Sequence, residues 1–237
     1  MLYFRDDRKS RYGTTMLIFF PKDALRLLRT MAPALLIASL SAAALPLHAA
    51  GSCEGTSRED ALTLVRDTTG ALFAAVEAED GVHSEDPARA RALVEEFITP
   101  HVDLKGFSKL VLGKHWRRAT PEQRQQFLEQ FHTLIVRTYA TAVTTYTGIE
   151  VRYMPMREES RPNFATVRTV IPRADGEGVK VNYRLHCRNN VWKLFDVNIA
   201  GVSMVTTYRS AFSAEVKRSG LDGLIKVLQQ KNDDVGA

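Results

Sequence analysis

At Gly148 the spacing of apolar residues changes, and that change limits the fold more than any other feature of the chain. Before it, apolar side chains recur at helical spacing; after it, they alternate. Helices gathered ahead of a run of strands, rather than interleaved with them, argue for an α+β fold with an antiparallel sheet.

The helical part reads as four segments. Residues 58–79 place Leu62, Val65, Leu72, Phe73 and Val76 on one stripe, with Gly70 as a weak point. Residues 86–103 repeat the pattern with Leu93, Val94, Phe97, Ile98 and Val102, and Thr99-Pro100 is set to kink or split that helix. A short helix follows over Phe107 to Trp116. Thr120-Pro121-Glu122-Gln123 then gives a cap, a proline at the first helical position and a residue that can reach back to close a capping box. This helix should run to about Tyr146 with Phe127, Phe131, Leu134, Ile135, Tyr139, Val143 and Tyr146 inward, and Gly148 should stop it.

Four strands are legible after Gly148. Ile149, Val151 and Tyr153 share one face, as do Ala165, Val167, Thr169 and Ile171, and then Val179, Val181, Tyr183, Leu185 and Cys187. The fourth covers about Val191 to Ile199, where regular alternation would put Val197 on one face with Phe195 and Ile199. Asp175-Gly176 and Asn189-Asn190 supply turns, so the strands form a meander with one apolar and one wet face. A tight second turn sets Arg184 opposite Asp196 as an ordinary cross-strand pair. From Ser203 the chain is helical again, with Gly220 separating a last helix over Leu221 to Lys231.

Gly201-Val202-Ser203 looks like the start of the G-x-S-x-G turn that presents a catalytic serine, but Val205 stands where the last glycine belongs. A serine between a strand and a helix is placed to cap backbone N–H groups instead. A hydrolase also needs a base and an orienting acid. His83, His101, His115, His132 and His186 fall in no recognisable motif, and neither a zinc signature nor a glycine-rich phosphate loop is present. Glu95-Glu96 and Glu158-Glu159 are chain neighbours that suit a solvated face. His186-Cys187 would point to opposite sides of a strand. The expectation is a protein that is no enzyme and holds no metal or cofactor.

Residues 32–47, APALLIASLSAAALPL, form an uncharged apolar run preceded by Lys22, Arg26 and Arg29. It is short for a membrane span and reads as a secretory signal peptide. Residues 1–50 are therefore assigned to a signal peptide with an N-terminal extension, and 51–237 to a single domain. The whole chain holds 32 Lys and Arg against 27 Asp and Glu; residues 1–50 hold 7 and 3 of these, which leaves 25 and 24. The basic balance belongs to the leader, so nucleic acid is not an expected partner. Arg117-Arg118 reads as a solvated helix end. Cys53 and Cys187 can pair in an oxidising compartment, though nothing in the sequence brings them together. Ala50-Gly51-Ser52-Cys53 can also be read as a lipidation site at Cys53, despite alanine where leucine is usual.

Three stretches resemble a known family: TPEQRQQFLEQFHTLIVRTYATAVTTYTGIEV, VNYRLHCRNNVWKLFDVNIAGVSMVTTYRSAF and GLDGLIKVL. They are similar to the MlaC-type periplasmic phospholipid-binding proteins, also called the toluene-tolerance family. The resemblance covers roughly residues 58–232. Its most specific parts are Thr138 to Gly148, Trp192 to Val197 leading into Gly201 to Ser203, and Gly220 to Ile225. It implies a twisted antiparallel sheet of about four or five strands covered by N- and C-terminal helices, with an apolar lipid cavity between. It also implies a phospholipid cargo carried between an outer-membrane lipoprotein complex and an inner-membrane ABC transporter with an MCE-domain ring. Exposing about 30 methylenes of two acyl chains costs on the order of 20 kcal/mol or more at roughly 0.8 kcal/mol each, so such a pocket wants aliphatic and aromatic walls. Candidate lining residues are Phe97, Phe131, Tyr139, Val143 and Tyr146 from the helices and Val151, Val167, Val181, Tyr183 and Val197 from the sheet. A periplasmic adaptor with a filled core, or less favourably a hydrolase using Ser203, is the alternative.

Overall fold

The computed structural model describes residues 53–78, 86–145, 149–173 and 176–234. Its first helix, α1 (Arg58–Ala78), buries Ala61, Val65, Leu72 and Val76 along one stripe. Leu62 and Phe73, expected on that stripe, flank it and stay partly exposed. Helix α2 (Pro87–Leu93) begins under Asp86, whose carboxylate accepts the Ala88 and Arg89 N–H groups. It passes into a π-turn (Val94–Ile98) and a 3-10 turn (Thr99–His101). Pro100 has no N–H for the ladder, so the helix expected over 86–103 breaks into three pieces and Val102 is already extended.

Asp103 caps α3 (Leu104–Leu112) by accepting the Gly106 N–H at 2.8 Å. Gly113, at φ 54°, divides α3 from α4 (Lys114–Arg118), so the short helix expected here is two. The capping box forms as its sequence predicts: Gln123 N–H donates to Thr120 Oγ1 at 3.2 Å and Thr120 N–H to Gln123 Oε1 at 3.1 Å. It opens α5 (Pro121–Thr145). The expected stop at Gly148 lies outside the described residues.

Strands β1 (Arg152–Tyr153), β2 (Phe164–Arg173), β3 (Gly176–Arg188), β4 (Val191–Ile199) and β5 (Val202–Ser203) form an antiparallel meander in sequence order. Asn189 and Asn190, at φ 51° and 61°, make the β3–β4 turn, and Ala200 with Gly201 makes the next. Pairing aligns Val167, Tyr183 and Val197 in one row and Thr169, Val181 and Ile199 in the row beside it. Arg184 sits opposite Asp196 as expected.

One detail overturns regular alternation in β4. Leu185 pairs with Leu194 while Arg184 pairs with Asp196, so Phe195 is an extra residue in a β-bulge. Its ring turns to Phe164 and His186 on the outer face, with centroids 5.8 and 5.3 Å away. Phe195 therefore does not share a face with Val197 and Ile199. The bulge resets the pattern so that Trp192, Leu194, Val197 and Ile199 all face inward.

Two groups of helices cover this inner face. Helix α1 lays Ala61 and Val65 on Ala165, Val167, Leu185, Cys187 and Trp192. Val197 and Ile199 instead meet a cluster built by α3, α5 and α6 (Met204–Asp234), the last broken at Gly220 as expected. Phe107, Phe127, Phe131, Tyr208 and Phe212 interlock at its centre, mostly edge to face. The edge of β4 is covered by β5 at one end and by Val102-Asp103 at the other, where Asp103 N–H donates to Leu194 O at 2.8 Å.

Asp196 fastens α6 to the sheet. Its buried carboxylate accepts the Ser203 hydroxyl at 2.7 Å, the Val205 N–H at 3.0 Å and the Arg184 guanidinium at 3.1 Å. Ser203 Oγ in turn accepts the Thr206 N–H at 3.2 Å, the capping role its position predicts. Cys53 and Cys187, which the sequence did not bring together, form a disulfide with Cα atoms 6.0 Å apart. That corrects the reading of Cys53 as a lipid attachment point, because its sulfur is already bonded.

The disulfide closes a loop of 134 residues, so replacing both cysteines with serine is expected to cost about 2–4 kcal/mol, read as a lower urea midpoint. Ser203→Ala should cost about 1 kcal/mol and Asp196→Ala about 2–3 kcal/mol, since the latter leaves several buried donors without an acceptor. Equal unfolding midpoints for these two variants would contradict the anchoring role of Asp196.

Candidate functional site

The two inner rows of the sheet hold four of the sheet candidates, Val167, Val181, Tyr183 and Val197. Val167, Tyr183 and Val197 stand side by side because they pair directly across three strands. Val167 is fully buried under α1, whereas Tyr183 and Val197 keep part of their surface exposed although they face the helices. Ile199 and, from α5, Ile135 and Tyr139 are likewise only partly buried at the margin of the aromatic cluster. These apolar side chains face inward without being fully enclosed.

Three phenols belong to this region. Burial pushes the Tyr183 hydroxyl up to about 12, with the neighbouring Tyr153 adding to the rise and the Thr169 hydroxyl opposing it. Burial also raises Tyr139, partly offset by its hydrogen bond with Tyr208. Tyr208 is raised strongly, first by burial and then by Tyr139 beside it. All three stay neutral at any physiological pH. None of these three phenols can serve as an acid or base near neutrality.

The remaining candidates fall elsewhere. Phe131 is fully buried within the ring cluster and is core rather than wall. Val181 is buried in the second row, and Val151 lies partly exposed just ahead of β1. Phe97 packs beside Leu72 and Leu93. It lines an open groove of about 470 Å³ between α1 and the π-turn, together with Leu64 and Ala71 and the carboxylates Asp60, Asp67 and Glu96. Those carboxylates suit water and cations better than acyl chains. The side chain of Val143 and all of Tyr146 lie outside the described residues. Sequence reasoning passed over Thr169 and Ile199, each two residues from a named candidate on the same face, and Tyr208, whose spacing from Phe212 reads as ordinary helix core.

Ser203 is not free for nucleophilic work. Its proton goes to Asp196 and its oxygen accepts the α6 backbone, and no histidine is among these partners. His186 instead contacts Asp103 at 2.9 Å, tying the start of α3 to β3.

Known proteins resemble this chain in sequence and in fold. A phospholipid-binding protein from Ralstonia solanacearum, solved in complex with a phospholipid, is similar with a TM-score of 0.66 and 29% identity; the match covers 77% of this chain and 100% of that one. The intermembrane phospholipid transport system binding protein MlaC of Haemophilus influenzae is 29% identical over 170 residues, covering 70% of this chain and 79% of that protein. A toluene tolerance protein of Pseudomonas putida is 26% identical over 160 residues, covering 67% and 74%. The MlaC protein family model matches residues 66–230, and the chain belongs to that family.

Proposed function

We propose that this chain is a periplasmic phospholipid carrier that moves lipid between an outer-membrane lipoprotein complex and an inner-membrane MCE-domain ABC transporter. The observation that carries this reading is the likeness to the Ralstonia protein, which spans that chain's whole length and which was solved with a phospholipid. The partly exposed inner rows of the sheet support it, because hydrocarbon tails need an apolar wall that the protein's own side chains do not fill. The name of the Haemophilus relative supports the transport partners. Residues 1–50, with the apolar run 32–47, act as the export signal, and the Cys53–Cys187 disulfide fits an oxidising compartment. No described helix is long and apolar enough to cross a membrane, which fits a carrier that leaves the bilayer.

In this reading Tyr139, Tyr183 and Val197, joined by Ile199, form the wall against the acyl chains, and the buried Thr169 and Tyr208 stand behind it. Val143 and Tyr146 extend it along the end of α5 and Val151 along β1, with Val167, Val181 and Phe131 as backing. Phe97 lies at the acid-rimmed groove and contributes least. The carrier has only to match the membrane's affinity, since chains move between two apolar surroundings and the roughly 20 kcal/mol cost of exposure is avoided at both ends.

Phospholipid should be recovered when gently purified protein is extracted and measured by mass spectrometry. Val197→Trp is expected to crowd the wall and at least halve the lipid per chain, while Val191→Trp, at a half-exposed position near the β3–β4 turn, leaves it unchanged. A folded Val197→Trp protein with full lipid content would move the wall elsewhere, and wild-type protein proven empty would refute carriage.

A further inference from the structure

The outer face of the sheet carries a charge pattern that lipid carriage does not call for. Strand pairing sets Arg152, Arg168, Lys180, Arg184, Arg188 and Lys193 on the side opposite Val167, Tyr183 and Val197. Arg152, Lys180, Arg184 and Arg188 are exposed, the last two with 49% and 70% of their side-chain surface accessible. The carboxylates that reach this side are already committed. Asp196 is enclosed by Ser203, Val205 and Arg184, Asp103 is held by His186 with Arg188 4.0 Å away, and Glu159 accepts the Thr166 hydroxyl. Residues 51–237 hold nearly equal numbers of basic and acidic groups, so the positive face reflects segregation and not an excess. The opposite sign gathers at the groove lined by Asp60, Asp67 and Glu96.

The described helices cover the inner face, and the exposed apolar side chain among the outer-face strand residues is Val191, alone beside the β3–β4 turn. Phe195 is buried, with the Arg184 guanidinium 5.1 Å above its ring, and Phe164 is half-buried under that of Arg161 at 5.4 Å. Protein interfaces are centred on buried anchors that fill pockets. A pocketless layer of cations spread over four strands matches instead a surface whose negative charge is also spread in two dimensions. We propose that this face docks on the anionic headgroup layer of a phospholipid bilayer. The separated charges orient the protein as it approaches, turning the sheet toward the membrane. This docking is independent of whether a lipid is carried inside.

The test is co-sedimentation of the protein with vesicles of phosphatidylglycerol and phosphatidylcholine, against vesicles of phosphatidylcholine alone, at low and high salt. Wild-type protein should bind the anionic vesicles and leave them at high salt. The combined variant Arg152→Gln, Lys180→Gln and Arg188→Gln should bind about a hundredfold more weakly, about fivefold for each charge removed. Lys105→Gln, Lys217→Gln and Lys226→Gln, exposed positions on the helices, should together change binding by less than about threefold. The charge-keeping variant Arg152→Lys, Lys180→Arg and Arg188→Lys should restore wild-type binding, which separates charge from fold. Equal binding to neutral vesicles, an undiminished sheet variant, equal losses in both glutamine variants, failure of the charge-keeping variant, or binding to an acidic protein but to no vesicle would each overturn the proposal.

Discussion

Asp196 is enclosed by protein, and its two oxygens are shared among the Ser203 hydroxyl, the Val205 N–H and Arg184, so the first turn of α6 cannot shift without stranding a buried charge. The bulge at Phe195 makes this possible. By inserting one residue it lets β4 keep Trp192, Leu194, Val197 and Ile199 inward while setting Asp196 opposite Arg184, one short turn from the start of α6. Three donors, one of them charged, offset the cost of burying the carboxylate. With α6 held there, Tyr208 reaches Tyr139 on α5, and the aromatic cluster closes around Phe131.

The inner face is covered from two sides, and the contrast between its parts separates core from wall. Under α1, Ala165, Val167, Leu185 and Cys187 are sealed, and the disulfide holds the chain just before that helix against β3. Beneath α3, α5 and α6 the rings of Phe107, Phe127, Phe131, Tyr208 and Phe212 fill one another. Tyr183, Val197 and Ile199 lie where these two covers meet, and they are among the inner-face residues that stay partly accessible, as is Leu194. Helix α5 has α2, α3 and α6 as its main neighbours. Ile135 and Tyr139 on this helix border the same cluster as Val197 and Ile199.

Much of the architecture was readable from local rules. The Thr120–Gln123 box, the Asn189-Asn190 turn and the Gly220 break each rest on a few adjacent residues, and each appears where those residues put it. What was not readable depended on distant partners. Nothing near Phe195 announces a bulge, because the extra residue is defined only by pairing with β3. Cys53 and Cys187 are 134 residues apart. Phe131 and Tyr183 look alike as apolar positions, yet one is enclosed by rings and the other is not, and periodicity carries no information on what stands opposite a side chain. One of the most specific resemblance segments, Trp192 to Val197 leading into Gly201 to Ser203, coincides with the bulge, the Ala200-Gly201 turn and the cap of α6. Its residues are therefore accounted for by backbone geometry and by Asp196, without any catalytic use.

The most direct test is to load the protein with a phospholipid bearing a photoreactive group on an acyl chain and to map the cross-linked residues after illumination. Cross-links on Tyr139, Tyr183, Val197 and Ile199 are predicted. Cross-links confined to Leu64, Ala71 and Phe97 in the acid-rimmed groove would contradict the account.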